Sequence, residues 1–533
     1  MPRRRKTSAR NLISLQEERF LHPTEDLEET LRTIYKQGDF GVGWPKGEKR
    51  TFEHLARPNT VAIVGAAFGD EGKGRFVDNY IETLFKNVKT KHVYVVRFQG
   101  GNNAGHTIEK GNIKLALHVV PSCVLYEQAL GIMDRGMIIH PEDLKTEVDY
   151  VEKKAASLKD RLFLSNDALL CTDIERAEES LNRIKDEKAK GGTGRGISAV
   201  YAHYYEKTGL KIANLFTEDW YKRLDRYYDR KAKEFAAFDV SLAEMEVPDF
   251  AETVNTGKSQ LRTVGKKKEF LDRIAEARDW LAKRKLVTNT YQLHEKIAKD
   301  LKNAFLFEGA QGAGLDAWLG TIPDVTASNT SVYAVREGTA YWKAEMIANR
   351  IGIFKATYTS SVGARRMPTH IDLPKDLKDL KNPTIDQKWG AYVREAAHEY
   401  GTTTGRPRDI LYLDLPSLTY NARMAGIEAM AATHLDIALA DMGIKVCTHY
   451  TDKKGKLLPY QPGLRYLREA IPQYVELPSW DGAECSKAKT REELPDHAQK
   501  FLAFLQNRTG YPIVAVTTGS QRRNLLTFQG YQL

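Results

Sequence analysis

Short apolar runs recur along the chain, and each ends in small or polar residues. Six of them are "TVAIVGAAFGDEGKG", "HVYVVRFQGGNNAGHT", "NAFLFEGAQGAG", "IGIFKATYTSSVGA", "AMAATHLDI" and "YPIVAVTTGS". Continuous apolar strands separated by helical stretches are typical of a parallel sheet covered on both faces, so the pattern predicts an α/β fold with a mostly parallel central sheet. The Gly, Asn, His, Gln and Thr clusters follow these runs, and we expect them at the carboxyl edge of the sheet, where such folds bind ligands.

A charge-rich stretch at residues 217–303 interrupts this alternation and is expected to be helical. Apolar residues at helical spacing predict one amphipathic helix packed on the core: Phe270, Ile274, Ala275, Ala277 and Leu281. The final third of the chain returns to strands and loops. We therefore expect a single large domain at residues 58–533 with helical insertions, preceded by a basic tail and extension at residues 1–57.

Composition narrows the class of protein. The chain has 533 residues, of which 42% are hydrophobic and 28% charged, enough for a large core. It contains neither an apolar run of membrane-spanning length nor an apolar signal core at the N-terminus, which predicts no membrane insertion and no secretion. The four cysteines are far apart and form no CxxC pair, which favours buried thiols in a reducing compartment, the cytoplasm.

The net charge of +10 raises the question of nucleic-acid binding. Five positive charges and no acid lie in "MPRRRKTSAR", the first ten residues. This cluster is read as a solvated tail, with a nucleic-acid or localisation arm as the alternative. Since the sequence shows no nucleic-acid-binding motif, we expect nucleic acid not to be the main partner.

The stretch "VGAAFGDEGKGRFVD" is similar to a phosphate-binding loop. Its glycines and Lys73 would turn backbone N–H groups and an ammonium toward an anion. Ala67 and Gly74 depart from the standard loop pattern, and two carboxylates, Asp70 and Glu71, would repel phosphate. If a Mg²⁺ ion accompanies the phosphate, a carboxylate in this loop could bind that ion. The carboxylate could also act as a base. The alternative is that Asp70 caps the following helix.

Other strand ends carry further candidate chemistry. "FQGGNNAGHT" ends in a loop with His106, an imidazole able to donate a proton at neutral pH. "FEGAQG" supplies the amide of Gln311, and "DVTASNT" supplies hydroxyl groups. "KGGTGRG" is a flexible cationic loop.

Two later loops are predicted to bind charged or donor groups. "GTTTGRPRD" offers three hydroxyls and two guanidiniums, which suit a carboxylate or phosphate. In "THLD", Asp436 follows a strand and could accept hydrogen bonds from guanine N1–H and the 2-amino group.

Together these motifs resemble the adenylosuccinate synthetase family. The resemblance extends from about Thr60 to Arg523, through "GDEGKG", "QGGNNAGHT", "LHVVPS", "GTGRGI", "FEGAQG", "VTASNT", "GTTTGRPR" and "TTG" in the family's order. It implies a P-loop-related α/β fold and a GTP- and Mg²⁺-dependent ligase that converts IMP and L-aspartate to adenylosuccinate in purine nucleotide biosynthesis. It also implies a cytoplasmic homodimer with shared active sites.

The resemblance also implies residue roles. Asp70 matches the catalytic base and a magnesium ligand, His106 the acid near O6, and the carbonyl of Gly105 a second magnesium ligand. Gln311 completes the catalytic set. The residues implied for the nucleoside triphosphate are Gly69, Asp70, Glu71, Gly72, Lys73, Gly74, Arg75, Gly105, His106, Thr107, Arg408, His434, Asp436, Thr517, Thr518 and Gly519.

The family's remaining contacts fall on the other two substrates. Those implied for the purine monophosphate are Asn103, Ala104, Thr193, Lys207, Gln311, Thr326 and Arg406. Those implied for L-aspartate are Thr402, Thr403, Thr404 and Arg406. Lys207 stands where the family has an arginine that reaches the neighbouring subunit's nucleotide.

The chain departs from the family pattern in several places. The extension at residues 1–57 is long, His434 replaces a lysine beside the guanine, and "SSVGARRMPTHI" replaces "TRVGxGPFPTE" and gains Arg365 and Arg366. The terminal "STGPxR" reads "TTGSQR". Three alternatives follow: ATP as donor, a phage-type relative acting on GMP or dGMP, and a non-catalytic nucleic-acid-binding relative. Retention of Asp70 speaks against the phage type, in which that aspartate is often replaced.

Overall fold

The computed structural model describes residues 56–87, 90–185, 192–361, 367–401 and 405–528. The predictions made for residues 1–55, for Thr402, Thr403 and Thr404, and for Arg365 and Arg366 lie outside these ranges. The strands are β1 (Arg57–Gly65), β2 (Val93–Arg97), β3 (His106–Lys110), β4 (Ile113–Leu117), β5 (Ala129–Met133), β6 (Ile138–Ile139), β7 (Leu162–Ser165), β8 (Leu169–Leu170), β9 (Glu246–Asp249), β10 (Gln260–Thr263), β11 (Val287–Thr288), β12 (Ala304–Gly312), β13 (Ile347–Lys355), β14 (Tyr358–Ser361), β15 (Asp409–Asp414), β16 (Ala429–Thr433), β17 (Ile444–Thr451), β18 (Leu457–Leu458), β19 (Ile471–Leu477), β20 (Ile513–Thr517) and β21 (Leu525–Thr527).

The helices lie between these strands. They are α1 (Lys73–Asn87), α2 (Pro141–Lys154), α3 (Asp173–Lys185), α4 (Ile197–Tyr205), α5 (Trp220–Ala236), α6 (Phe250–Thr256), α7 (Lys267–Arg284), α8 (Thr290–Ile297), α9 (Ala334–Thr339), α10 (Ile385–Ala396), α11 (Leu415–Met424), α12 (Leu464–Glu469), α13 (Gly482–Cys485) and α14 (Asp496–Thr509). Over the described part of the chain, none of them is both long enough and apolar enough to cross a membrane.

A ten-stranded sheet organises the fold, in the order β11-β7-β5-β2-β12-β1-β13-β16-β20-β21. Every neighbouring pair is parallel except β20 and β21. The six apolar runs of the sequence form β2, β12, β1, β13, β16 and β20, which are consecutive in the sheet. The prediction of an α/β fold around a mostly parallel sheet is therefore confirmed.

Both faces of the sheet are covered. Val61 and Ile63 of β1 belong to one buried cluster, and Ala62 and Val64 belong to another. Successive side chains of a strand point to opposite faces, so the two clusters lie on opposite sides of the sheet. Phe76 of α1 packs in the first cluster, which fixes the helix that follows β1 against the sheet.

β1 is the point in the sheet at which the order of the strands along the chain reverses. After β1, the chain places β2 on one side of it, beyond β12, and later places β13, β16 and β20 on the other side. In parallel sheets a crevice opens beyond the carboxyl ends of the strands at such a switch point. The polar clusters of the sequence follow the strands at this edge.

The charge-rich stretch is mainly helical, as its sequence predicts. The face that α7 buries consists of Phe270, Leu271, Ile274, Ala277 and Leu281, while Ala275 is only half-buried. The stretch also contains the antiparallel pair β9–β10 and the edge strand β11, which the sequence did not indicate. Strands of two to four residues are too short to show a period of two.

A second sheet lies beside the carboxyl edge of the first. Its strand order is β14-β15-β17-β18, with β19 also paired to β17. β14 follows β13 after Ala356 and Thr357, and it pairs with β15 in antiparallel fashion. This pairing carries Arg408, which directly precedes β15, toward the crevice, where it pairs with Asp70.

Candidate active site

The two carboxylates of the β1–α1 loop have different surroundings. Glu71 is buried, and its Oε1 accepts the backbone N–H of Gly69 at 2.7 Å and of Ala67 at 3.3 Å. Its Oε2 lies 2.8 Å from Lys73 Nζ. Glu71 therefore occupies the amide cradle that the sequence predicts for a phosphate, and in this state Lys73 pairs with Glu71.

Two glycines make room for the Glu71 carboxylate. Gly65 and Gly312 are partners in the β1–β12 ladder. A Cβ on Gly65 would lie 2.5 Å from Glu71 Oε2, and one on Gly312 would lie 2.5 Å from Glu71 Oε1. The strand ends thus need glycine because a carboxylate packs across them.

Asp70 faces the opposite way. Its φ is +60°, a left-handed backbone that Asp and Asn tolerate better than most residues. Its side chain is 34% exposed and forms an ion pair with Arg408. Because α1 begins three residues later, at Lys73, and the carboxylate pairs with Arg408, the helix-capping interpretation of Asp70 is wrong.

His106 is the first residue of β3 and lies against the start of α1. A Cβ on Gly74 would be 3.2 Å from His106 Cβ. His106 Nε2 lies 3.6 Å from Glu308 Oε1, and Ser122 fixes that carboxylate through its Oγ at 2.6 Å and its N–H at 3.0 Å. Burial lowers the pKa of His106 to about 4, although Glu308 opposes the shift. His106, which the sequence predicts as a proton donor, is therefore neutral at neutral pH. In that form it can donate a hydrogen bond from a ring N–H.

The side-chain amide of Gln311 is also available to a ligand. Both of its polar atoms are buried, and neither has a hydrogen-bond partner within the described part of the chain. The residue has a φ of +57° at the end of β12, and a Cβ on Gly100 would lie 3.4 Å from its Oε1. Buried amides are normally paired, so this one is suited to bind a substrate.

The residues predicted for the donor base lie at the ends of β16 and β20. The backbone N–H of His434 donates to Thr517 Oγ1 at 3.1 Å, and that of Leu435 donates to the Thr517 carbonyl at 3.0 Å. Arg75 of α1 hydrogen-bonds the carbonyl of Gly519. Burial raises the pKa of Asp436, and Arg75 opposes that shift. The structure thus brings Arg75, Asp436 and the residues after β20 together.

Behind Arg408 lies a buried carboxylate that the sequence did not reveal. Glu399 Oε2 lies 2.8 Å from Arg408 NH1, and its Oε1 pairs with Lys355 and accepts the Tyr358 hydroxyl at 2.5 Å. Burial would raise the pKa of Glu399, but Lys355 and Arg408 bring it to about 2. In the sequence, the only indication of Glu399 was its position two residues before the first glycine of "GTTTGRPRD".

His434 does not replace the family's lysine as a cation. Its Nδ1 lies 2.6 Å from the Tyr358 hydroxyl. Burial, reinforced by Lys355, lowers its pKa to about 3, so it is neutral at neutral pH. A neutral imidazole therefore stands at this position among the residues predicted for the donor base.

The residues predicted for the purine monophosphate are more dispersed. The Oδ1 of Asn103 accepts the N–H of Gly101 at 3.2 Å, and the N–H of Ala104 donates to the Gly101 carbonyl at 3.1 Å, which shapes the loop after β2. Thr193, Lys207 and Arg406 are exposed, while Thr326 is half-buried. Of the residues predicted for the triphosphate, Gly72, Gly105 and Thr107 are exposed and Thr518 is fully buried.

The two residues predicted to bind magnesium both offer hard oxygen donors. The Asp70 carboxylate is partly exposed, and Gly105 is an exposed loop residue whose carbonyl can coordinate a cation. Mg²⁺ prefers oxygen ligands and usually retains several waters, so an open, carboxylate-bearing loop is compatible with it.

Comparison with known proteins agrees with this architecture. The sequence model described as adenylosuccinate synthetase matches residues 62–526. Adenylosuccinate synthetase of Clostridium botulinum (strain Eklund 17B) is 31% identical over 467 residues, which cover 87% of this chain and 98% of that protein. The enzyme of Thermoanaerobacter sp. (strain X514) is 32% identical over 475 residues, 89% of this chain and 100% of that protein.

A solved structure agrees as well. The structure of fully ligated adenylosuccinate synthetase from Plasmodium falciparum matches with a TM-score of 0.72 and 28% sequence identity, over 88% of this chain and 100% of that one. The family match spans most of the chain, and it includes each strand end that forms the crevice. The chain belongs to the adenylosuccinate synthetase family, ligases that form a C–N bond between IMP and L-aspartate at the expense of GTP.

Proposed function

We propose that the crevice at the carboxyl edge of the sheet carries out the family's reaction, with Asp70 as the general base. The observation that carries the proposal is the division between the two loop carboxylates. Glu71 is bound by the loop's own amides and Lys73, whereas Asp70 is directed to the crevice and paired with Arg408. A carboxylate held outside the cradle and oriented by Arg408 can accept a proton from a substrate.

The chemistry follows in two steps. Asp70 removes the N1 proton of IMP, and O6 then attacks the γ-phosphorus of GTP, so that a P–O bond forms and GDP leaves. The amine of L-aspartate attacks C6, phosphate leaves with O6, and the amine loses a proton. The neutral His106 donates a hydrogen bond to O6 as charge develops, and Gln311 orients the purine. Such phosphoryl transfer depends mainly on positioning and charge neutralisation.

A magnesium ion would be held on the phosphate side of the site. Asp70 and the Gly105 carbonyl would hold the ion, which neutralises phosphate charge when bound. The loop residues Gly69 to Gly74 and Thr107 would surround the phosphates. Lys73, which pairs with Glu71 here, would then bind the phosphates, either in place of Glu71 or together with it.

GTP is the donor that fits the base pocket best. The Asp436 carboxylate can accept from guanine N1–H and N2–H₂ together, whereas adenine presents no such pair of donors on that edge. Thr518 and Gly519 border the same pocket. The neutral His434 supplies no cation, so discrimination rests on Asp436.

The remaining assignments concern the other substrates and the assembly. Asn103, Ala104, Thr193 and Thr326 would contact the purine monophosphate, and Arg406 with Thr402, Thr403 and Thr404 would hold L-aspartate. Lys207, exposed on the turn after α4, would reach the nucleotide of a second subunit in a homodimer with shared sites. The free, buried cysteines support a reducing, cytoplasmic location.

A substrate panel tests the proposal. Phosphate release is measured with L-aspartate and Mg²⁺ for IMP, dIMP, GMP and dGMP, each with GTP or ATP. We expect release with IMP and GTP. Preference for dGMP would indicate the phage-type reaction, preference for ATP would refute the role of Asp436, and release with none of the purines would refute the ligase proposal.

A further inference from the structure

A continuous line of polar contacts runs beside the crevice. Its members, here called the Glu399 relay, are Asp70, Arg408, Glu399, Tyr358 and His434. Arg408 pairs with Asp70 and also places NH1 2.8 Å from Glu399 Oε2. The Tyr358 hydroxyl lies 2.5 Å from Glu399 Oε1 and 2.6 Å from His434 Nδ1. Each member therefore contacts the next.

The directions of these hydrogen bonds follow from donor counts. Tyr358 has one hydroxyl proton, and the ionised Glu399 can only accept, so Tyr358 donates to Glu399. The same hydroxyl oxygen must then accept from His434, which requires a proton on Nδ1. We infer this tautomer from the network; it leaves His434 Nε2 as an acceptor in the donor pocket.

Burial makes the arrangement stiff. Glu399 and Tyr358 are fully buried, and Lys355 is 4% exposed with its Nζ paired to Glu399. Three donors, from Lys355, Arg408 and Tyr358, thus converge on a single carboxylate away from water. Hydrogen bonds in such a network depend on one another, so the loss of one donor changes the geometry of the rest.

The two ends of the relay lie at opposite ends of the donor site. His434 borders the base pocket, where its N–H donates to Thr517, and Asp70 lies in the phosphate loop. We propose that Glu399 is a positioning residue that couples the donor's base pocket to the placement of Arg408 against Asp70. This inference deepens the proposed function and rests on it.

A double-mutant cycle on turnover tests the coupling. Tyr358→Phe removes the hydroxyl that joins the halves of the relay, and His434→Ala removes its pocket end. Each should lower kcat about tenfold, since each disturbs Arg408 at Asp70. The double variant should also lose only about tenfold, because both changes break the same line. Glu399 is left intact, since its removal would strand the buried charges of Lys355 and Arg408.

Tyr412→Phe is the matched control. Tyr412 lies opposite Tyr358 in the β14–β15 pair and is also buried, but its hydroxyl bonds Asp386. Tyr412→Phe should lower kcat only slightly. When it is combined with His434→Ala, the fold losses in kcat of the two variants should multiply. Multiplying losses for Tyr358→Phe and His434→Ala would overturn the relay, as would a His434→Ala enzyme altered only in its KM for GTP.

A spectroscopic measurement separates this inference from the proposed function. If the wild-type chain releases no phosphate from any substrate pair, the proposed function fails. The relay is then tested by ¹⁵N NMR of the imidazoles, with His434 assigned by comparison with His434→Ala. The wild type should show the Nδ1–H tautomer, and Tyr358→Phe should lose it. An Nε2–H tautomer in the wild type would overturn the relay.

Discussion

At the scale of single residues, the backbone decides what two adjacent carboxylates do. Asp70 has a left-handed φ of +60°, which turns its side chain away from the amides that bind Glu71. Gln311 and His434, at the ends of β12 and β16, also have positive φ, +57° and +59°. Non-glycine residues in this region cost about 1–3 kcal/mol each and tend to occur at functional sites. Side chains at three strand ends are thus directed by strained backbone.

Asp70→Asn is predicted to abolish most activity while leaving stability nearly unchanged. Asn tolerates the same backbone and keeps the size of the side chain, but it cannot accept the N1 proton or offer a charged ligand. Loss of a general base typically lowers the rate about 10²–10⁴-fold. Single-turnover phosphate release and the thermal midpoint measure the two effects. A fully active variant would contradict the role given to Asp70.

His106 gives the pH dependence of stability a defined sign. Its pKa is lowered from 6.5 to about 4 in the folded chain, so the unfolded chain binds the proton more readily. The contribution of His106 to the free energy of unfolding is therefore fully present above pH 6.5 and is lost as the pH falls through about 4. It amounts to about 3 kcal/mol.

Denaturant unfolding of wild type and His106→Asn at several pH values tests this. The difference in unfolding free energy between the two proteins should shrink as the pH is lowered from 6.5 to 4. Glu147, whose pKa burial raises to about 7, acts with the opposite sign in this range, but it is common to both proteins. A pH-independent difference would show that His106 titrates normally.

At the scale of elements, the β1–α1 loop depends on the strands beneath it. Glu71 packs across Gly65 and Gly312, so the paired ends of β1 and β12 determine the shape of the loop. α1 then begins against His106, which joins the loop after β2 to the same unit. The β1–α1 loop is therefore positioned by three central strands.

Gly65→Ala is predicted to cost stability and activity together. Its Cβ would lie 2.5 Å from Glu71 Oε2 and 2.7 Å from the Gln311 carbonyl, so the loop must shift. Overpacking of this kind costs about 1–3 kcal/mol. Gly463→Ala is the control, because a Cβ there meets nothing within 4 Å. Equal thermal midpoints and equal activities for the two variants would refute the packing argument.

These elements were not equally visible in the sequence. The six central strands could be predicted because each is a continuous apolar run followed by glycine or polar residues. The edge strand β11 and its neighbour β7 could not, since they are short and lack an obvious pattern. Lys355, Tyr358 and Glu399 were missed because their contacts join residues remote in sequence, and no local pattern distinguishes them from ordinary buried or surface side chains.

At the scale of the whole molecule, the sheet brings candidate site residues from distant parts of the chain together at one edge. Asp70, His106, Gln311 and Asp436 come from four different strand ends. In the proposed homodimer, Lys207, which is exposed, would act on the purine site of the other subunit. A closed dimer with twofold symmetry would give each site one such residue from the partner copy.

Mixed dimers test the shared site. Asp70→Asn and Lys207→Ala homodimers should each be impaired. A heterodimer has one site in which both changes fall together and one with neither change. Random mixing should therefore restore about a quarter of wild-type activity. No recovery after exchange of subunits, with dimers verified by sedimentation, would contradict a shared site.

The most direct test of the central claim follows the oxygen at C6. IMP labelled with ¹⁸O at O6 is converted with L-aspartate, GTP and Mg²⁺, and the released phosphate is analysed by mass. If Asp70 makes O6 the nucleophile that attacks GTP, the label must leave C6 in the phosphate, and Asp70→Asn must suppress its transfer. Unlabelled phosphate from the wild-type chain would contradict the account.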